Sequence, residues 1–137
     1  MANDINDIFS ISGSALRAQS MRMKIIAENI ANVGTTAPTS GEAPYQRQVI
    51  SFKKEFDNNI GAYKVKVSNI ATDKAEPIKK YDPSNPVADA QGYIFTPNVN
   101  SLVESADMGD ANRAYQANLN VIAASRTMVL KTLSILQ

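Results

Sequence analysis

The chain has 137 residues, which is the size of a single domain, and it contains no His, Cys or Trp. This composition excludes His-based catalytic triads, thiol nucleophiles, disulfides, iron–sulfur clusters and the common zinc sites. Fourteen Lys and Arg nearly balance thirteen Asp and Glu, so the net charge of +1 gives no electrostatic reason to bind nucleic acid or an anionic membrane surface.

The sequence also lacks the signals of membrane insertion and of secretion by a cleaved leader. Its longest uninterrupted apolar run covers residues 121–124, whereas a membrane-spanning helix needs about 20 residues. The N-terminal sequence MANDINDIF carries two Asp and no Lys or Arg, unlike the basic start of a secretory signal peptide. We therefore expect no membrane span and no cleaved signal peptide.

Proline positions divide the chain into three parts. All six Pro residues lie between Pro38 and Pro97, and because proline breaks helix interiors, only the flanking segments are free to form long helices. We therefore predict an N-terminal helix within residues 1–35, a small β-rich or extended middle region over residues 36–100, and a C-terminal helix within residues 101–137.

An apolar repeat with a seven-residue spacing predicts the first helix, from about residue 4 to residue 33. Gly34 is suited to the position just after a helix, and Pro38 prevents the helix from resuming. The apolar stripe of this helix consists of Phe9, Leu16, Met23, Ile26 and Ile30.

The same spacing predicts the second helix, over residues 102–136, with Ser101 and Glu104 as a candidate capping box at its start. Its main apolar face consists of Tyr115, Leu119, Ile122, Val129, Leu130, Leu133 and Leu136. A second apolar row, about 120–160° around the helix, consists of Val121, Met128 and Ile135. Arg126 falls within the main face, where it either pairs with a carboxylate such as Glu28 or remains solvated.

Between the helices, alternating apolar residues over 48–56 and 63–67 predict two strands joined by a turn at residues 58–61. Segments 34–44 and 81–87 are rich in Gly, Pro, Ser and Asn, which predicts loops.

The predicted helices are too long for a compact domain of this size. At 1.5 Å per residue they would measure about 43 and 52 Å, against a compact diameter of about 37 Å. We therefore expect an α+β fold in which the two terminal helices pack as a coiled-coil-like pair beside a small irregular β region. The apolar residues of both helices are the expected subunit interface, unless the middle region folds back and covers them.

No group of residues has the spacing of a catalytic, metal-binding or cofactor-binding site. The sequence has no Gly-rich phosphate loop, and Glu104, Asp107 and Asp110, which are three residues apart, are ordinary partners of a helix N-terminus. We expect a protein that is not an enzyme and that needs no cofactor. Two kinds of protein fit this expectation: a self-associating structural subunit, or a helical adaptor or chaperone that binds one partner through its apolar faces.

Three segments resemble the flagellar rod and hook proteins. The first is Asn29-Ile30-Ala31-Asn32, followed closely by a Thr that is either Thr35 or Thr36, and the second is RAYQAN near the C-terminus, with Arg113, Tyr115 and Asn118. The third, DPSNPVADAQGY followed by PNV, is similar to the proximal rod proteins in particular. It contributes Asp82, Pro83, Pro86, Gly92, Tyr93, Pro97, Asn98 and Val99. The sequence departs from the family pattern at Asn85, where His is usual, and at Ser105 and Gly109.

The resemblance implies a structural subunit of the flagellar basal-body rod that is exported unfolded, without a cleaved signal peptide, and assembles in the periplasm. The terminal helices would form a hollow helical tube around the export channel, and the rod would transmit torque to the hook. The implied partners are copies of the chain, other rod proteins, the adaptor between rod and membrane ring, the distal rod and the export apparatus.

Overall fold

The computed structural model describes residues 2–39 and 41–135. Within these residues the chain forms two long helices with four strands between them, so the predicted α+β fold is confirmed. The elements are α1 (Ala2–Asn32), β1 (Gln48–Asp57), β2 (Ala62–Thr72), β3 (Ile78–Tyr81), β4 (Tyr93–Thr96) and α2 (Ser101–Ile135). Over its described residues, neither helix combines the length and the apolarity that crossing a membrane requires.

The two helices begin and end within two residues of the predicted bounds, but α2 is capped differently from the prediction. The side-chain Oδ1 of Asn100 accepts hydrogen bonds from the backbone N–H groups of Leu102 (3.0 Å) and Val103 (3.3 Å). Asn100 is therefore the N-cap residue, and the predicted capping box of Ser101 and Glu104 is wrong. Glu104 is free for another role because Asn100 satisfies these helix N–H groups instead.

Strands β1 and β2 form a two-stranded sheet joined by a turn at residues 58–61, as predicted. Asp57 accepts a hydrogen bond from the backbone N–H of Asn59 and binds the ammonium of Lys64 at 2.6 Å. These two bonds, the Lys64 bond first, hold the pKa of Asp57 below its usual value. The rings of Phe56 and Tyr63 meet edge to face with centroids 5.1 Å apart, which further joins the two strands beside the turn.

Strands β3 and β4 form a second, antiparallel sheet in which Ile78 pairs with Thr96 and Tyr81 with Tyr93. This sheet was not predicted, and the predicted loop over residues 81–87 is wrong at Tyr81, which belongs to β3. Strands of four residues are too short to show a clear alternation, and three of the four residues of β3 are Lys or Tyr. Ile94 of β4 is buried, so one side of this sheet faces the core.

The chain groups into two compact units. Unit 1 contains Met1–Met23, Ser51–Asn69 and Gly109–Gln137, and unit 2 contains Lys24–Ile50 and Ile70–Met108. In unit 1 the buried helix positions carry small residues, namely Ser12, Ser14, Ala18, Ala111 and Ser125. In unit 2 most of the buried residues are larger, and they include a polar pair. They are Ile25, Ile26, Asn29, Ala37, Pro44, Ile94, Pro97, Val99 and Glu104.

Candidate assembly surface

Helix α2 leaves much of its apolar surface exposed. Along its described side chains, seven large apolar residues are between 37% and 79% exposed: Leu102, Val103, Leu119, Val121, Met128, Leu130 and Leu133. Scattered apolar residues are ordinary on protein surfaces, whereas a series of exposed apolar residues along one helix is a candidate interaction site.

Within unit 1 the buried stripe of α2 is narrow and is flanked by apolar residues on both sides. Ala111 and Ser125 are buried at its centre, and their small side chains suit close contact with neighbouring elements. At 100° per residue, Leu119, Leu130 and Leu133 lie on one flank, whereas Val121 and Met128 lie on the other. Two separate apolar surfaces are therefore available to partners.

The main apolar face that the sequence predicts is displaced in the structure. Tyr115, Ile122 and Val129 are only half-buried, and the buried stripe passes instead through the small residues Ala111 and Ser125. Apolar periodicity overlooks Ala and Ser, although small residues suit the closest contact between elements.

Arg126 is exposed on the same flank as Leu130, in agreement with the solvated alternative. Glu28, its candidate partner, lies 3.8 Å from the ammonium of Lys24.

The other predicted interface residues differ in burial. On α1, Phe9, Leu16, Met23 and Ile30 are half-buried, whereas Ile26 is buried in the core of unit 2. The side chain of Ile135 and the whole of Leu136 lie outside the described residues. For all of these residues, a role in a subunit interface stays a prediction.

The first resemblance motif contains a fully hydrogen-bonded buried side chain, that of Asn29. Its Oδ1 accepts hydrogen bonds from the Tyr45 hydroxyl (2.8 Å) and from the backbone N–H of Gln48 (2.9 Å). Its Nδ2 donates to the backbone oxygen of Gln48 (2.8 Å) and to Oε2 of Glu104 (3.0 Å). Asn29 is 1% exposed, and four bonds are all that an amide side chain can form. It therefore joins the end of α1, the start of β1 and the first turn of α2.

Glu104 is the second buried polar residue of this network, with 1% exposure. Its Oε1 accepts a hydrogen bond from Nε of Arg47 at 2.7 Å. The same guanidinium lies 3.7 Å from a carboxylate oxygen of Asp73 and 3.8 Å from one of Asp107. Arg47 was not singled out from the sequence, because nothing in its neighbourhood shows that it faces three carboxylates from distant segments.

Tyr45 lies at the edge of the same network. Burial, and secondarily the negative charge of Glu28, raise the pKa of its hydroxyl above the usual value. The Tyr45 hydroxyl donates a hydrogen bond to Oδ1 of Asn29.

The PNV motif holds Arg47 and its strand in place. Pro97 and Val99 are buried, and the side chain of Asn98 accepts a hydrogen bond from the backbone N–H of Arg47 at 2.8 Å. Asn98 also donates to the backbone oxygens of Asp73 (3.2 Å) and Ala75 (3.1 Å). The motif thus joins the chain before β1 to the chain after β2.

The remaining part of the third motif forms the connection from β3 to β4. Asp82 donates its backbone N–H to the oxygen of Gly92 at 2.9 Å. Gly92 has φ of 80°, and a Cβ there would lie 3.0 Å from side-chain atoms of Pro83 and Tyr81, so only glycine fits.

Asp89 stabilises the same connection from its other side. Its carboxylate accepts hydrogen bonds from the backbone N–H groups of Tyr93 and Gln91, both at 2.9 Å. These bonds, the Tyr93 bond first, hold the pKa of Asp89 below its usual value.

The rest of the motif residues make local contacts. Asn32 and Asn118 each donate to the backbone oxygen four residues earlier, that of Glu28 and Ala114 respectively. Arg113 pairs with Asp110 on the surface of α2. In the other motif positions, Ile30 and Tyr115 are half-buried, whereas Ala31 and Pro86 are exposed.

Of the three carboxylates spaced along the start of α2, Glu104 and Asp107 both lie near Arg47, and Asp110 lies apart from them. Glu104 is buried against Asn29 and Arg47, whereas Asp110 is exposed and pairs with Arg113. Among the residues that the structure describes, no group of acidic residues is arranged to hold a metal ion.

Two protein-family models match the chain at its two ends. The model described as "Flagella basal body rod protein" matches residues 9–39. The model described as "Flagellar basal body rod FlgEFG protein C-terminal" matches residues 90–135. The matched segments contain the motif residues Asn29, Asn32, Arg113 and Asn118 and most of both helices.

Curated relatives match along almost the whole chain, and those described here are called "Flagellar basal-body rod protein FlgC". The Agrobacterium fabrum protein is 45% identical over 127 residues, which cover 93% of this chain and 91% of the relative. The protein of Buchnera aphidicola from Acyrthosiphon pisum is 38% identical over 130 residues, covering 94% and 96%. The protein of Escherichia coli O6:H1 is 37% identical over 129 residues, again covering 94% and 96%.

These matches, together with two long terminal helices and an exposed apolar surface, define a structural subunit of the flagellar basal-body rod. Within that class, the chain belongs to the FlgC family. The predicted resemblance to proximal rod proteins is confirmed, and assembly with other rod components follows from membership of the family.

Proposed function

We propose that this rod subunit assembles with copies of itself and with other rod proteins into a hollow helical shaft. The shaft surrounds the export channel and transmits torque to the hook, and the subunit performs no catalysis. The observation that carries the proposal is the apolar surface on both flanks of the buried stripe of α2.

Two apolar flanks on one helix suit a lattice in which each subunit contacts more than one neighbour. Contacts between unlike surfaces, repeated with a rotation that does not close, produce an open helical filament instead of a ring. In this proposal the terminal helices pack as a coiled-coil-like pair and form the inner tube. The middle region, residues 36–100, forms the outer layer.

The proposal includes export without a cleaved signal peptide and assembly in the periplasm. Helix α1 contributes Ile25, Ile26 and Asn29 to the core of unit 2, so removal of this segment would remove part of the fold. The further partners are the adaptor between rod and membrane ring, the distal rod and the export apparatus.

Charged substitutions on the exposed flanks of α2 test the proposal. We expect Leu130→Glu and Met128→Glu to leave the fold of the single chain intact, because both side chains are more than half exposed. The same substitutions should abolish swimming and rod formation, because each places a charge in an apolar contact between subunits. The measurements are the circular dichroism of the purified variants, and swimming and basal bodies of a strain that lacks its own copy.

Asn120→Glu is the matched control, because Asn120 is an exposed polar residue of the same helix. It should swim normally. Leu16, Ile122 and Val129 are half-buried, so charges there would also disturb the single chain. Normal rods in the Leu130→Glu and Met128→Glu strains would contradict the proposal. A small complex of fixed stoichiometry with one other protein would instead indicate a helical adaptor.

A further inference from the structure

Unit 2 has an open apolar groove with two exposed carboxylates among its lining residues. The groove is lined by Ala43, Pro44, Pro77 and Phe95, together with Glu42 and Glu76. Both glutamates are exposed, and neither forms an ion pair within the part of the chain that the structure describes. A surface of this kind complements a partner that is apolar and positively charged.

The C-terminal half of α2 has that chemistry. After Asp110 the sequence contains no further Asp or Glu, so the charges beside the exposed apolar residues are all positive. Arg126 lies on the same flank as Leu130 and Leu133, whereas Lys131 lies about 100° beyond Leu130, on the side of the helix that faces solvent. Arg126 and Lys131 are exposed and form no ion pair with other described residues.

The net charges of the two units have opposite signs, as do the charges of the helix flank and the groove. Unit 1, which contains this part of α2, carries nine Lys and Arg against five Asp and Glu. Unit 2, which contains the groove, carries five Lys and Arg against eight Asp and Glu. The net charge of +1 therefore conceals a basic and an acidic unit, which would attract each other between copies.

We propose that the flank of α2 formed by Arg126, Leu130 and Leu133 docks into the Glu42–Glu76 groove of a second copy. Leu130 and Leu133 enter the apolar part of the groove, Arg126 pairs with one of the two glutamates, and Lys131 adds positive charge at the solvent edge of the contact. This inference rests on the proposed function and names the partner surface of one flank. The contact joins two different surfaces, so every added copy offers a free groove or a free helix to the next copy.

Charge reversal in trans tests this contact. The groove variant carries Glu42→Lys and Glu76→Lys, and the helix variant carries Arg126→Glu and Lys131→Glu. When either variant is expressed alone, the groove of one copy and the helix of the next copy carry like charges and repel each other. This repulsion reduces the number of complete rods per cell roughly tenfold or more in a strain without its own copy. The two variants expressed together offer opposite charges to each other again, and their co-expression restores rods and swimming.

Two controls complete the design. Lys53→Glu with Lys54→Glu changes the net charge as much as the helix variant does, but on β1, and it leaves rod number unchanged. Because the chain has no Cys, co-expressed Ala43→Cys and Leu133→Cys copies can form only one mixed disulfide, and each variant expressed alone is the control for dimers of like copies. A dimer that appears in isolated basal bodies only when both variants are present shows that the groove and the helix of different copies meet.

The outcomes separate this inference from the function on which it rests. Normal rods in either charge variant, or no cross-linked dimer, overturn the groove contact while leaving the rod function intact. Restoration only when all four substitutions are in the same chain also overturns it, because the contact is then intramolecular. A wild-type chain that enters no rod overturns the proposed function itself.

Discussion

Asn29 shows how a single amide side chain can hold three segments together. It is buried with all four hydrogen-bonding positions occupied, and a buried polar atom that loses its partner is costly. We expect Asn29→Ala to lower the free energy of unfolding by roughly 2–4 kcal/mol, because it leaves partners on Tyr45, Gln48 and Glu104 unsatisfied. Urea denaturation of the purified chain measures this change.

Asn32→Ala is the matched control for Asn29→Ala. Asn32 is in the same motif and on the same helix, but its side chain bonds only to the backbone of Glu28. Its removal should change stability by less than about 1 kcal/mol. Equal effects of the two substitutions would show that the buried network is not what makes Asn29 important.

Arg47 and Glu104 form the charged part of the same network. Glu104 is buried and its nearest cation is Arg47, so Arg47→Met should cost about 3–5 kcal/mol by leaving a buried carboxylate without its partner. Adding Glu104→Gln removes the buried charge and should recover about 2 kcal/mol of this loss. A double-mutant cycle by urea denaturation measures the recovery, and simple additivity would rule out the coupling.

At the scale of elements, the two long helices could be predicted and the second sheet could not. The seven-residue spacing of Phe9, Leu16 and Met23 gives a strong signal because it persists over several helical turns. Strands β3 and β4 have four residues each and pair across a connection whose shape depends on Gly92, so no periodicity reveals them. The candidate network was only partly visible: Asn29 and Asn98 appear in the motifs, but Arg47 does not.

The start of α2 gives a direct test of how the element is formed. Ser101 and Glu104 satisfy the capping-box pattern, but Asn100 is one residue earlier and its side chain already caps the helix. Asn100→Ala should therefore destabilise the chain by about 1 kcal/mol, which thermal denaturation can measure. Ser101→Ala should have almost no effect, since the Ser101 side chain is exposed. A larger loss of stability from Ser101→Ala than from Asn100→Ala would show instead that the capping box of Ser101 and Glu104 caps the helix.

At the scale of the whole molecule, the buried polar network and the proposed assembly surface lie in different parts of the chain. The buried network around Asn29 lies entirely in unit 2, whereas most of the exposed apolar surface of α2 belongs to unit 1. One part of α2 is therefore held by the chain's own contacts, and another part lacks comparable burial. Such an arrangement would favour the proposed export of the unfolded chain, because helices that lack tertiary packing are only marginally stable.

Hydrogen–deuterium exchange along the dilute monomer and along assembled rods tests this division. Local opening requires less free energy where few apolar groups are buried, so residues 119–133 should exchange faster in the monomer than residues 24–32 and 101–108. In assembled rods, exchange over residues 119–133 should slow by at least tenfold, because neighbouring subunits then bury the flanks. The Leu130→Glu variant should keep the fast exchange of the monomer. Slow exchange over residues 119–133 in a verified monomer would mean that the chain covers this surface itself, and it would favour an adaptor over a rod subunit.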